Sequence, residues 1–185
     1  VGFGRDVEPQ QTLIWIDSNG TRHSYKLSLK QRKYDIQKID GISKRMMNPS
    51  EEDLRRIGQE AQQVAKARET DSPLLNFQET FIWPVIGRIS GIYGSQRILN
   101  GEPRRPHFGI DIAAPEGTPV KAPAGGVVSM AHEEMFFSGG TLIIDHGYGL
   151  SSSFLHLHKI LVKVGDQVVQ GEAIATVGAT GRVTC

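Results

Sequence analysis

The chain has 185 residues, 38% of them hydrophobic and 22% charged, with 21 Lys and Arg against 20 Asp and Glu and a net charge of +1. This is a globular composition, long enough for one ordinary domain plus a smaller piece, and its charge balance gives no electrostatic case for a nucleic-acid partner. The single cysteine, Cys185, rules out an intrachain disulfide or a multi-cysteine metal site, and no apolar run approaches the roughly 20 residues of a transmembrane helix.

The chain opens at Val1 without a Met, as expected of a processed or trimmed product, and its first residues do not reveal the compartment. Residues 12–39 then alternate in the manner of strands: TLIWID, a turn at Ser18-Asn19-Gly20, RHSYKLSL and YDIQKI. Asn-Gly between alternating runs is a hairpin signal. Some forty residues make only a thin core, so this piece should pack on something else.

A helix is predicted from Pro49 to about Arg68. Ser50 is a natural N-cap, Glu51, Glu52 and Asp53 suit the positive end of the helix dipole, and Leu54, Ile57, Ala61, Val64, Ala65 and Arg68 form a narrow stripe at helical spacing. The expected role is a solvated linker between domains. Residues 70–78 read as a connector.

From Phe81 onward the texture changes to short apolar runs broken by Gly and Pro, as in IWPVIGRISGIYG, GTPVKAPAGGVV and GGTLIIDHGYG. This half should be all-β and antiparallel. The predicted fold class is therefore mainly β, an antiparallel β-sandwich or half-barrel with a small N-terminal β module and a linker helix. The expected divisions are 1–45 for the module, 46–76 for the helix and connector, and 77–185 for the main domain.

With no multi-cysteine site available, any metal must be held by His, Asp or Glu. His107 and Asp111 flank Gly109. On a straight strand they would stand roughly 13 Å apart, too far to share one ion, but the glycine permits a bend. Spacing alone leaves open either a shared metal or a His–Asp hydrogen bond at a strand end. His156 and His158 should face the same side of a strand while Leu155 and Leu157 enter the core, an arrangement that fits zinc binding, proton transfer or simple exposure. His23 and His132 read as surface or capping residues, and Asp145-His146-Gly147-Tyr148-Gly149 reads as a structural hairpin turn.

The ordered blocks RPHFGIDIAAPEGTPVKAPAGGVV, GGTLIIDHGYGLSSSFLHL and ILVKVGDQVVQGEAIATVGATGRVT resemble the lysostaphin and LytM-like zinc metallopeptidases over roughly residues 81–185. The resemblance implies a zinc-dependent endopeptidase that hydrolyses peptide cross-links of bacterial peptidoglycan. It implies one Zn2+ ion, peptidoglycan stem peptides as substrate, and export to the periplasm or cell envelope. Matched position by position, His107 and Asp111 fall on two of the three zinc ligands and His156 on an upstream catalytic histidine. Arg97, Asn100 and Arg104, just ahead of the metal motif, are candidates for lining a groove for an acidic peptide.

The family pattern continues with Gly-Pro and a His-x-His that brings the third ligand, whereas the sequence ends at Thr184-Cys185 without it. The expectation is a C-terminally truncated domain, inactive as a fragment and weak in zinc. Two alternatives accompany it: His158 as a substitute ligand, or a catalytically silent relative that binds wall or activates another hydrolase. The VKVGDQVVQGEAIATVG stretch also resembles biotinyl and lipoyl carrier half-barrels, but it lacks their Met-Lys pair.

Overall fold

In a computed structural model, which describes residues 2–183, the N-terminal hairpin forms as its Asn-Gly turn requires: β1 (Gln10–Ile16) pairs antiparallel with β2 (Arg22–Ser28), and Gly20 takes a φ of 79°. Val1 and the Thr184-Cys185 end, with the lone cysteine and the truncation it suggested, lie outside the described residues.

The third predicted strand departs from the hairpin. β3 (Ile36–Ile39) pairs in parallel with β5 (Gln96–Leu99), and β5 in turn pairs antiparallel with β6 (Glu102–Pro103). A strand from the N-terminal piece thus extends a sheet of the C-terminal half. A short helix α1 (Lys44–Met47) follows, and its Met47 shares a small apolar cluster with Ile42 and Leu99.

Helix α2 (Glu51–Arg68) begins where its cap dictates. Ser50 Oγ accepts from the Asp53 amide, and the Asp53 carboxylate accepts from the Ser50 amide, so two backbone donors that a helix start would leave orphaned are satisfied. Its buried face differs from the predicted stripe. Asp53, Glu60 and Ala67 are buried, while Leu54 is exposed. The helix is docked rather than solvated: Glu60 accepts from the Phe136 amide at 2.8 Å and from Arg56 Nε at 2.7 Å, and Arg56 also donates to the Glu134 carbonyl. Polar staples share the docking with apolar contacts: Ala67, and Val64 from the predicted stripe, pack with Met130, Met135 and Ile143.

A 3-10 turn (Asn76–Gln78) leads into the β-rich half, whose strands are β4 (Arg88–Gly91), β7 (Asp111–Ala113), β8 (Pro119–Lys121), β9 (Gly126–Met135), β10 (Gly139–Gly147), β11 (Leu150–Leu157), β12 (Lys159–Ile160), β13 (Gln167–Val168) and β14 (Ala173–Thr176). A four-stranded sheet, β11-β10-β9-β13, faces a three-stranded one, β12-β14-β8, and β4 pairs with β7. The main core lies between the two larger sheets, with Val128, Leu142, Ile144, Leu157 and Val168 from one and Val120, Ile174 and Ala175 from the other. The fold is mainly β, with antiparallel sheets forming a half-barrel. Among the described residues no helix is long and apolar enough to cross a membrane.

Candidate metal centre

His107 and Asp111 come together as the Gly109 bend allows. The chain is irregular from 104 to 110, and strand β7 begins only at Asp111. The His107 backbone is fastened on both sides, its amide donating to the Ser95 carbonyl at 2.9 Å and its carbonyl accepting from the Gly94 amide at 2.7 Å. These bonds turn its ring back so that Nε2 lies 3.1 Å from Asp111 Oδ1. The other carboxylate oxygen, Oδ2, accepts from Arg97. Burial works to raise the Asp111 carboxyl, but His107 and Arg97 outweigh it and hold it below the ordinary carboxylate range.

Asp111 also depends on a residue that pattern reading passed over. Gly91 is its cross-strand partner, and a Cβ there would lie 2.3 Å from Asp111 Oδ2. The missing side chain leaves the space that the carboxylate occupies.

His156 reaches the site through a bulge. Gly140 pairs with Leu157 but Leu142 with Phe154, so β11 carries one residue more than β10 across this step. Phe154 and Leu157 both pack into the core, three positions apart, which strict alternation forbids. The extra residue is absorbed with His156 at a φ of 62°, a conformation disfavoured for a residue with a side chain. The expected row of His156 and His158 side by side, with Leu155 and Leu157 inward, is therefore not what forms. Leu155 is half exposed, and His158 lies past the end of β11 with Nδ1 2.7 Å from Glu116 Oε1.

The His156 ring is oriented by Thr180, whose carbonyl lies 2.8 Å from Nδ1. A carbonyl can only accept, so Nδ1 carries the proton, and in the neutral ring Nε2 is left with a free lone pair. Burial pushes the imidazole below its ordinary pKa, against the opposing pull of the Thr180 bond and the Asp111 charge. The Thr180 hydroxyl secures the same corner by donating to the Leu157 carbonyl at 2.8 Å and accepting from the Gly140 amide at 2.9 Å.

The other candidates have defined surroundings. The Asn100 amide group bonds the backbone of Ile42 at both its oxygen and its nitrogen, and Arg104 donates to Glu102 and to the Met47 carbonyl. Arg182 lies over the Phe137 ring at 4.2 Å, and burial together with the charges of Arg104 and Arg97 lowers its pKa. His146 is fully buried, 2.6 Å from the Gly125 carbonyl and 2.8 Å from Ser152 Oγ, in keeping with a structural role. His132 and His23 make local contacts, with the Glu134 amide and with Asp17.

Whether His107 and Asp111 suit a metal ion can be judged from geometry and donor type. Two ligands bound about 2.0–2.1 Å from a tetrahedral ion stand about 3.3 Å apart, close to the separation found here, and an imidazole nitrogen with a carboxylate oxygen suits zinc. Among the described residues no group of three His, Cys, Asp or Glu side chains converges on one point. The pair fits as part of a zinc ligand set.

Known proteins place this geometry in context. The model of peptidase family M23 matches residues 105–185. The chain is 43% identical over 94 residues to the peptidoglycan DD-endopeptidase ShyA of Vibrio cholerae, covering 46% of this chain and 22% of that protein. A crystal structure of a peptidase M23 from Pseudomonas aeruginosa superposes on 100% of this chain and 68% of its own, with a TM-score of 0.76 and 36% identity. A zinc-containing peptidase from Vibrio cholerae matches 58% of this chain and 34% of its own, with a TM-score of 0.54 and 36% identity. The chain thus spans less than a quarter of the length of ShyA.

Proposed function

The chain belongs to peptidase family M23, and from that premise we propose that it serves a zinc-dependent endopeptidase that hydrolyses peptide cross-links of bacterial peptidoglycan. The observation that carries this reading is the 3.1 Å approach of His107 Nε2 to Asp111 Oδ1 beside the half-buried His156. ShyA supports the substrate, and the zinc-containing relative supports the metal.

In this reading His107 and Asp111 hold one Zn2+ as part of its ligand set. Zinc, when bound, supplies Lewis-acid polarisation and a water of lowered pKa. His156 has the form of a proton acceptor: Thr180 fixes its tautomer, burial favours the neutral ring, and the unprotonated Nε2 would take a proton from the attacking water or steady developing charge after protonation. Arg97, Arg104 and Arg182 gather positive charge near the site, which suits the carboxylates of stem peptides. Asn100 would contribute through the loop it fastens. His158, paired with Glu116, has the weaker claim to a ligand's place. Such a substrate places the protein in the periplasm or cell envelope, after export.

The test is digestion of purified peptidoglycan by the full-length protein, followed by mass analysis of the released muropeptides. Cross-linked dimers should decline, stop declining when the metal is chelated, and decline again once zinc is restored. Intact dimers under all three conditions contradict the reading, and wall binding without cleavage points to the silent, wall-binding alternative.

A further inference from the structure

Strand β3 brings Gln37 into register with Arg97 on β5. The Gln37 amide is used at both ends: Oε1 accepts from Arg97 Nε at 3.3 Å, and Nε2 donates to the Ser90 carbonyl of β4 at 3.2 Å. Arg97 donates through Nη2 to Asp111 Oδ2, and β4 pairs with β7, the strand on which Asp111 sits. A continuous set of contacts therefore runs from the N-terminal piece to a metal-ligand carboxylate, and it begins outside the residues that match the family model.

The two carboxylate oxygens have separate neighbours. Oδ2 is held by Arg97, and Oδ1 is turned toward His107 Nε2. A guanidinium standing in for the metal would be expected to engage the oxygen beside His107. Arg97 takes the far oxygen and leaves the near one for an ion. Its planar fork, with Nε on Gln37 and Nη2 on Asp111, fixes the direction of the carboxylate as well as its charge.

We propose that Arg97 is a positioning residue for the Asp111 carboxylate, and that β3 sets its orientation through Gln37, so that docking of the N-terminal strand tunes metal affinity. This rests on the zinc reading above and adds a dependence on β3. Hydrogen-bonded partners behind metal ligands commonly contribute 10- to 100-fold in affinity.

The experiment is zinc affinity of the full-length protein by competition with a chromogenic chelator, with circular dichroism on the same samples. Arg97→Gln should weaken zinc by about 10-fold or more, and Arg97→Lys by less, since an ammonium supplies charge without the fork. Gln37→Ala should weaken zinc in the wild-type background and have no further effect once Arg97 is Gln, because the two act in series. If Arg97→Gln does not fold, Gln37→Ala and Arg97→Lys carry the test. Unchanged affinity in the folded variants, or an equal Gln37→Ala effect in both backgrounds, overturns the proposal while leaving the hydrolase reading intact. A wild type that binds no zinc overturns both, and one that binds zinc but cuts no peptidoglycan overturns the hydrolase reading alone.

Discussion

His156 Nδ1 lies 2.8 Å from the carbonyl of Thr180, a residue 24 positions further along the chain. That bond and the left-handed backbone at His156 hold the ring in one orientation, with Nε2 unbonded among the described residues. Replacing His156 by Ala should reduce turnover about 100-fold or more with zinc content nearly unchanged. Turnover on a cross-linked muropeptide and zinc by mass spectrometry check this together. A parallel loss of zinc would move His156 into the ligand set.

Gly91 is the least conspicuous part of the site and one of the most constrained. A methyl group at this position would overlap Asp111 Oδ2. Gly91→Ala should therefore displace the carboxylate and weaken zinc binding, whereas Gly58→Ala, on the exposed side of α2 where a Cβ meets nothing within 4 Å, should leave binding near wild type. Chelator competition on the two variants distinguishes a local clash from a general intolerance of glycine replacement.

Glu60 joins helix α2 to the end of β9. Glu60→Ala leaves the buried Phe136 amide without its acceptor and should cost about 1–3 kcal/mol, while Glu60→Gln keeps an acceptor and should cost less. Denaturant unfolding of the two variants measures the difference; equal costs would mean that the carboxylate charge facing Arg56, and not the hydrogen bond to Phe136, holds the helix.

The start of α2 carries a pH dependence. The hydrogen bond from Arg45 lowers the Asp53 carboxyl to about 2, aided by Ser50 and opposed by burial. A carboxyl depressed in the folded state binds fewer protons there than in the unfolded chain. Its contribution is fully present above the ordinary value of 3.8 and is lost as the pH falls toward about 2. The melting-temperature gap between wild type and Asp53→Asn should be widest near pH 5 and narrow through this window. A constant gap contradicts the assignment.

Features written in neighbouring residues were legible in the sequence. The Ser50 cap, the Asn19-Gly20 turn and the bend at Gly109 each follow from local chemistry, and each is present. Features that depend on distant partners were not. The parallel pairing of β3 with β5 joins segments some sixty residues apart through a strand whose alternation gives no hint of its partner. Glu60 looked like a solvated charge because nothing near it in sequence announces the Phe136 amide. The bulge at His156 was concealed because period-two reading assumes unbroken register, although Phe154 and Leu157 as two apolar residues three apart were its one available signal.

The most direct test of the central claim is anomalous X-ray diffraction at the zinc edge from crystals of the zinc-loaded protein, beside the same measurement on Asp111→Asn. The account predicts a single peak within bonding distance of His107 Nε2 and Asp111 Oδ1, lost or strongly reduced in the variant. A wild-type crystal without anomalous density between these atoms, or with zinc elsewhere and both Asp111 oxygens held by Arg97, contradicts it.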